Sequence, residues 1–452
     1  MNDRQPEDFQ KPVPLGEPEL GELTPPKARI TTFTSLKNRN YRWYWLGMLG
    51  SFAGLQMNIA ARGWLVWTMT ESELAIGIVM FAFGGPLFLF AIFGGAIADR
   101  VNKRNLLIAT QAFMAFLVAI IAILITLNMI EFWHLVAVAV CTGFAFVLNG
   151  PARQSIIPEL VKKRELLNAI SLNATGMNLM RVIALALGGA LIPIIGIDGV
   201  YYAIVVCYIL GAVSLFKVSL PQRAATPVPA PAMANPIGRL RNFRPDSIVQ
   251  FLRSMWPDIK EGVIYIRHSR LVISLLAMAF VPLTFGLPYM FLMPVFADEV
   301  LGQGELGYGL LMAMAGVGAL VASLAIASLG DFRQKGKLLL ASALVFGITL
   351  ALFGISHSFP LSLAILVGVG AGGTGYMALN NTLLMSNVPL RILGRVMSIW
   401  MITFALMPMG TLPIGAVAQA LGPTIAVAGG AVIIVLFTLG MIIFVPFLRR
   451  LE

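Results

Sequence analysis

The sequence predicts an all-α integral membrane protein, with twelve transmembrane helices in two pseudo-symmetric six-helix bundles. Three observations carry this expectation. Hydrophobic residues make up 58% of the 452 residues and charged residues only 12%, where a soluble chain has about 25% charged. Apolar runs recur at lengths near the ~20 residues needed to cross a bilayer. Residue types also return at one ungapped spacing of 232. Gly54, Gly77, Met80, Gly84, Asp99 and Asn149 have counterparts at Gly286, Gly309, Met312, Gly316, Asp331 and Asn381, and Leu106-Leu107 returns as Leu338-Leu339. Any one match is cheap in a chain with 44 glycines. A single offset that joins helices, loops and a charged segment reads as two parallel copies of one membrane unit.

The charge follows the same topology. The net charge is +11, which at first points to nucleic acid. Yet every Lys and Arg except Arg62 and Arg181 falls on one side of a twelve-span arrangement. That is the positive-inside pattern, and it places both termini in the cytoplasm. The basic balance therefore reports on topology and the lipid bilayer, and no nucleic-acid partner is expected.

In chain order, residues 1–40 are polar and Pro-rich, with no apolar leader core, and are expected to be a disordered cytoplasmic tail. An N-terminal bundle follows over 41–218, with spans near 42–68, 75–98, 105–128, 133–156, 168–193 and 198–218. Tryptophans 43, 45, 64 and 67 bracket the first span as interfacial aromatics do. Short turns join the spans at Glu71–Glu73, Asn128–Glu131 and Gly196–Asp198 on one side. Residues 219–271 form the long internal break. It opens with a Pro/Ala-rich linker, and then Ile248, Phe251, Leu252, Trp256, Ile259 and Val263 recur at helical spacing. That segment is an amphipathic helix on the inner leaflet, or else a plain exposed linker. The C-terminal bundle occupies 272–452, with spans near 272–297, 306–329, 338–356, 360–386, 396–420 and 424–447. Pro282, Pro288 and Pro294 interrupt span 7, and Pro408 and Pro413 interrupt span 11. Such breaks form either cavity hinges or packing kinks.

Between spans 2 and 3, Gly95-Ala-Ile-Ala-Asp99-Arg100-Val-Asn-Lys103-Arg104 concentrates charge between two apolar runs, and Asp331-Phe-Arg333-Gln-Lys335 echoes it after span 8. A carboxylate there can face helix N-termini and nearby cations. The flanking Arg and Lys also serve as positive-inside anchors, which leaves Asp99 without an anchoring role. On this loop the chain resembles the major facilitator superfamily, over roughly residues 40–450. Pro151–Leu160, Gly394-Arg395-Val-Met-Ser398 and the stretch from Leu287-Pro288 to Gly318 are similar to its enterobactin-exporter and macrolide-efflux branch. The resemblance implies the major facilitator fold in a prokaryotic plasma membrane, and drug or siderophore export by alternating access, driven by protons. It also implies that Gly95, Asp99, Arg100, Lys103, Arg104 and Asp331 form a conformational latch, with helix 11 near Arg395 as partner. The chain departs from the antiporter pattern at span 5, where Arg181-Val-Ile continues as Ala184-Leu185 in place of Gly-Pro.

Arg62 and Arg181 fall inside spans, and an Arg at mid-membrane costs about 2.5–3.5 kcal/mol on insertion scales. No Asp or Glu lies in the middle of a span. Their partners are therefore backbone carbonyls, Asn173, Asn178, water, or an anionic substrate. Asn149 and Asn381 match across the repeat. Gln56, Asn58, Tyr289, Tyr376 and Asn380 add polarity to spans 1, 7 and 10. Such positions contact substrate in carriers, or form hydrogen bonds between helices. The acids available for proton coupling are peripheral: Asp99, Asp298 and Glu299, with Glu131, Asp198 and Glu305 as further loop acids.

Cys141 and Cys207 lie in apolar runs, and His134, His268 and His357 lie near span ends, so no metal site is expected. Gly368-Val-Gly370-Ala-Gly-Gly373 matches a dinucleotide fingerprint only formally, because it lies inside a span. Gly368 and Gly372 suit helix packing instead. No cofactor is expected. The combined expectation is a monomeric, non-enzymatic secondary transporter for an amphipathic small molecule. A lysophospholipid or lipid flippase, a non-energised carrier and a sensor of the same fold are the alternatives.

Overall fold

The computed structural model describes residues 34–162, 165–219, 266–267, 269–329, 334–388, 396 and 410–451, without the side chains of 91–96, 98–100, 167, 327 and 329. The expected tail up to residue 33, the expected amphipathic segment up to residue 265, and Asp331, Arg395 and Pro408 lie outside the described residues.

The described residues form helices and no strands. The first six are α1 (Arg39–Thr70), α2 (Glu73–Arg100), α3 (Lys103–Thr126), α4 (Phe132–Leu160), α5 (Leu166–Ala190) and α6 (Ile192–Phe216). After the long break come α7 (Arg270–Val300), α8 (Gly304–Leu329), α9 (Lys335–Gly354), α10 (Phe359–Asn387), α11 (Gly410–Leu421) and α12 (Pro423–Phe444). Ten of these are long and apolar enough to cross a membrane. α1 is long but more polar, because Gln56, Asn58 and Arg62 lie within it. The repeat survives in the helix starts, since α3 and α9 begin at Lys103 and Lys335, 232 residues apart.

Short polar residues start the helices by satisfying their first free N–H groups. The Asn38 side chain accepts from the amides of Asn40 and Tyr41, Ser72 from Ala75, Asn102 from Asn105, and Ser269 from Val272. Glu131 and His134 form a capping box at α4. α1 ends where Glu71 turns left-handed at φ 47°. In α6 Gly196 takes φ 75°, so the chain turns there and the long part of the helix follows it, close to the expected turn. α7 is broken between Phe285 and Tyr289, where the Pro282 carbonyl accepts from both Gly286 (2.9 Å) and Leu287 (3.1 Å). A π turn over Phe296–Val300 follows Pro294. α5 is one uninterrupted helix, as the absence of the Gly-Pro step would have it.

In the first half α1 packs on α5 and α6, α3 on α4 and α6, and α2 on α4. In the second half α10 packs on α8 and α9, and α9 on α12. The α9–α10 contact uses the glycines of the false fingerprint: a Cβ on Gly372 would lie 2.5 Å from the Phe346 amide nitrogen, and one on Gly368 2.7 Å from the Thr349 methyl. Between the halves α5 packs extensively on α8, α2 meets α11 where Gly77 faces Thr411 and Gly415 faces Glu73, and the second segment of α7 adds contacts to α1 and α2.

Candidate substrate cavity and its closure

The halves meet at one end of the molecule. That end carries the short turns after α1, α3, α7 and α9, and the basic residues cluster at the other. At the short-turn end Trp67 Nε1 donates to Asp298 Oδ2 at 2.9 Å, and Ser72 Oγ donates to Gln419 Oε1 at 2.7 Å. Tyr308 Oη donates to the Ala60 carbonyl at 3.1 Å, and its ring stacks on Trp64 with centroids 5.5 Å apart. Gly189 and Gly309 bring α5 and α8 backbone to backbone, where a Cβ on Gly189 would lie 2.7 Å from Gly309 Cα. α1 is buried on every side from Ala60 to Trp67.

Among the described residues, the contacts between the halves thin out toward the basic end. α5 faces α1 through Gly176, Ala184 and Gly188, and faces α8 through Val182 and Gly189. The sector between those two faces is buried at Leu185, near the short turns. One turn further toward the basic end it opens, and Arg181, Asn178, Ala174 and Ser171 are all exposed. This sector is the candidate cavity wall, covered near the short turns and uncovered toward the basic end. Among the described residues, the hydrogen bonds between halves all lie at the short-turn end.

The expected latch is only partly described. Gly95, Asp99 and Arg100 lie in the last turns of α2, but their side chains are outside the described residues, as are Asp331 and Arg395. Lys103 bonds Glu159 Oε1 at 2.7 Å and the Ser155 carbonyl at 3.2 Å, which ties α3 to α4. Arg104 donates to the carbonyls of Leu215 (2.9 Å) and Phe216 (2.8 Å) and so covers the C-terminus of α6. These two cations brace the first half.

Gln56, Asn58 and Arg62 are buried on α1. The Arg62 guanidinium lies 5.2 Å from the centroid of the Phe83 ring, and its Nε has no hydrogen-bond partner. Asn149 is engaged within the first half: its Nδ2 donates to Thr110 Oγ1 at 2.8 Å and its Oδ1 accepts from Arg153 Nε at 3.1 Å. Its repeat partner Asn381 is half-buried with an unpartnered Oδ1. Asn380 donates to the Leu275 carbonyl at 3.1 Å and keeps Oδ1 unpartnered. Tyr376 stacks on Phe346 with an unpartnered hydroxyl, and Tyr289 packs edge-on against Phe353. Asp298 is held by Trp67, and Glu299 beside it is exposed, close to Glu71 and Glu73 of the other half.

α4 runs on to Leu160, so Arg153 lies about 10 Å before the basic end of that helix. The glutamine at 419 and the tryptophan at 67 were not recognised as bridges, because their partners are more than 200 residues away and leave no periodic signal.

A family described as "Transmembrane secretion effector" matches residues 30–451. The chain is 24% identical to the staphyloferrin A transporter of Staphylococcus aureus over 386 residues, 84% of this chain and 86% of that protein. It is 22% identical to the multidrug efflux pump Tap of Mycolicibacterium fortuitum, over 88% of this chain and 94% of the pump. With the enterobactin exporter EntS of Shigella flexneri it shares 23% identity over 78% and 77% of the two chains. Among solved structures it is similar in fold to a POT family transporter in complex with a thioalcohol-conjugated peptide, with a TM-score of 0.68 and 15% identity over 93% of this chain and 100% of that one. It is also similar to an inward-facing bacterial homologue of the human lysosomal transporter Spinster, with a TM-score of 0.64 and 14% identity over 91% and 96%.

Proposed function

Because this chain belongs to the transmembrane secretion effector family of the major facilitator superfamily, we propose that it exports an amphipathic small molecule by alternating access, driven by protons. The observation that supports this reading is the asymmetry of the cavity, closed across Trp67–Asp298 and Gly189–Gly309 and open at Arg181 and Asn178. With the basic end in the cytoplasm, as the positive-inside rule has it, this is the state that loads cargo from inside the cell. Residues 41–218 and 272–452 are then the two rocking bodies of a monomer whose termini both face the cytoplasm, and binding replaces catalysis as the site's task. Relatives that carry siderophores and drugs support a cargo of that size and polarity.

Proton coupling enters at the closed end. Glu299 has Glu73 and Glu71 of the other half and Asp298 of its own half near it. Protonation from outside would remove like-charge repulsion there and favour closure around an empty cavity, and loss of that proton into the cavity open to the basic end would complete its passage inward. In this scheme Asp99 latches the basic end in the opposite state.

The test is accumulation in cells expressing the protein or its Asp99→Asn variant, with and without an uncoupler. The panel is a catecholate siderophore, a macrolide, a lipophilic dye and a lysophospholipid. Lower, uncoupler-sensitive accumulation of a soluble compound, restored by the substitution, is expected. An effect confined to lysophospholipid distribution would replace the exporter with a flippase. No effect on any compound would refute export of this class.

A further inference from the structure

We propose that the cargo is an amphipathic anion, and that Arg181 and then Arg62 bind its acidic group as the two halves rock. The proposal rests on the exporter reading above and names the charge of its substrate. Its basis is an uncompensated ladder of cations in the first half. α1 and α5 run side by side, with Gly176 against Met48 and Leu49, and Gly188 against Met57 and Ala60. Arg181 therefore lies level with residues near 53 of α1, and at 1.5 Å per residue Arg62 is about 13 Å nearer the short turns. Arg153 lies below both, at the level of Tyr44, whose hydroxyl donates to the Arg153 carbonyl at 2.8 Å. Arg181 and Arg62 thus stand at two depths below the closed top, and Arg153, bonded to Asn149 within the first half, lies lower still.

None of them is neutralised by the protein. The one ion pair among the described residues is Lys103–Glu159, at the basic end. Arg181 is exposed in the open sector of α5, with Asn178 one turn below it on the same sector. Arg62 is 4% exposed, its Nε has no partner, and its contact is the face of Phe83. The hydroxyl of Tyr201, beside it, is also buried and unpartnered. A buried guanidinium without counter-charge is costly unless a ligand supplies one. The planar fork of Arg suits a carboxylate or a comparable oxyanion.

The second half is different in kind. Its described span interiors carry no cation and no acid, and offer the unpartnered oxygens of Tyr376, Asn380 and Asn381. Among the described residues the span-interior cations stand on the first half and the second half offers neutral polar groups, so a cationic cargo would meet repulsion with no acid to offset it. Arg181, reachable in the open state, binds first. Arg62, enclosed at the top, takes the acidic group once the short-turn end begins to open.

The test uses the full chain in nanodiscs and in everted vesicles. The probes share one dansyl body and differ in the end group: carboxylate, amide or tertiary amine. Lysophosphatidylglycerol serves as a second source of the anion. The carboxylate is expected to bind at least tenfold more tightly than the amide, and the amine more weakly still. Arg181→Gln should weaken carboxylate binding at least tenfold and leave the amide unchanged, while Arg181→Lys should recover part of the loss. Arg62→Gln should leave carboxylate binding within twofold and reduce its transport at least tenfold. A preference for lysophosphatidylglycerol over the carboxylate would keep the anion and assign it to lipid. Equal binding of the three dansyl probes, or an equal loss of all three in Arg181→Gln, would overturn the proposal. Transport of the amine or the amide alone would overturn it and leave the exporter standing. No binding or transport of any probe would overturn both.

Discussion

The Trp67 indole donates to the Asp298 carboxylate at 2.9 Å, across the boundary between the two halves of the chain. This bond exists only while the short-turn end is closed, so it biases the equilibrium rather than the fold of either half. A hydrogen bond to a charged group is worth about 1.5–3 kcal/mol when enclosed, and less at a half-exposed site. Trp67→Phe is expected to shift the balance toward the state open at the short-turn end by roughly fivefold or more. Disulfide yield between Ser72→Cys and Gln419→Cys, on a background lacking Cys141 and Cys207, measures this. An unchanged yield would show that the bond does not bias closure.

Gly309 tests the same closure sterically. A Cβ there would lie 2.5 Å from the Ala190 nitrogen and 2.8 Å from its Cα. Backbone cannot rotate away, so Gly309→Ala must separate α5 from α8 or strain both, at about 1–3 kcal/mol. The expected outcome is a stable protein with lowered Ser72–Gln419 cross-linking. Loss of folding with cross-linking retained in the surviving fraction would contradict it.

The signature loop divides into braces and a latch. Arg104 makes two hydrogen bonds to the end of α6, so Arg104→Ala should cost about 1–2 kcal/mol of stability. The Lys103–Glu159 pair is partly exposed, and Lys103→Ala should cost under about 1 kcal/mol. Asp99→Asn is expected to leave stability nearly unchanged and to shift the conformational balance. Thermal unfolding in detergent together with the cross-linking assay separates the three variants. A large destabilisation by Asp99→Asn would make it a brace as well.

Proton coupling makes a separate prediction. Replacing both Asp298 and Glu299 by Asn and Gln should remove the uncoupler sensitivity of accumulation while a downhill flux persists. Coupling that survives the double substitution would move the proton site elsewhere, with Asp99 the next candidate.

The spans were legible because apolar runs and capping residues are local signals. Asn38, Ser72, Asn102 and Ser269 stand where helices begin, and the observed ends fall within a few residues of those expected. The 232-residue offset was legible for the same reason, since both copies keep the residues that their packing needs. The site was less so. Trp67 looks like any interfacial aromatic until the partner half places Asp298 beside it. Asn149 and Asn381 match in sequence, yet one is held by Thr110 and Arg153 and the other keeps a free oxygen. Pairing between distant helices decides such roles, and no periodicity encodes it.

Alternating access is most directly tested by two spin-label distances in nanodiscs, one between Ser72→Cys and Gln419→Cys and one between Arg42→Cys and Asn387→Cys. They are measured with and without the panel compound whose accumulation the protein lowers. The first distance is expected to be short and the second long in the resting protein; compound is expected to lengthen the first and shorten the second, and acidifying the short-turn side to reverse both changes. Two distances that stay fixed, or that lengthen together, would contradict a rocking exporter.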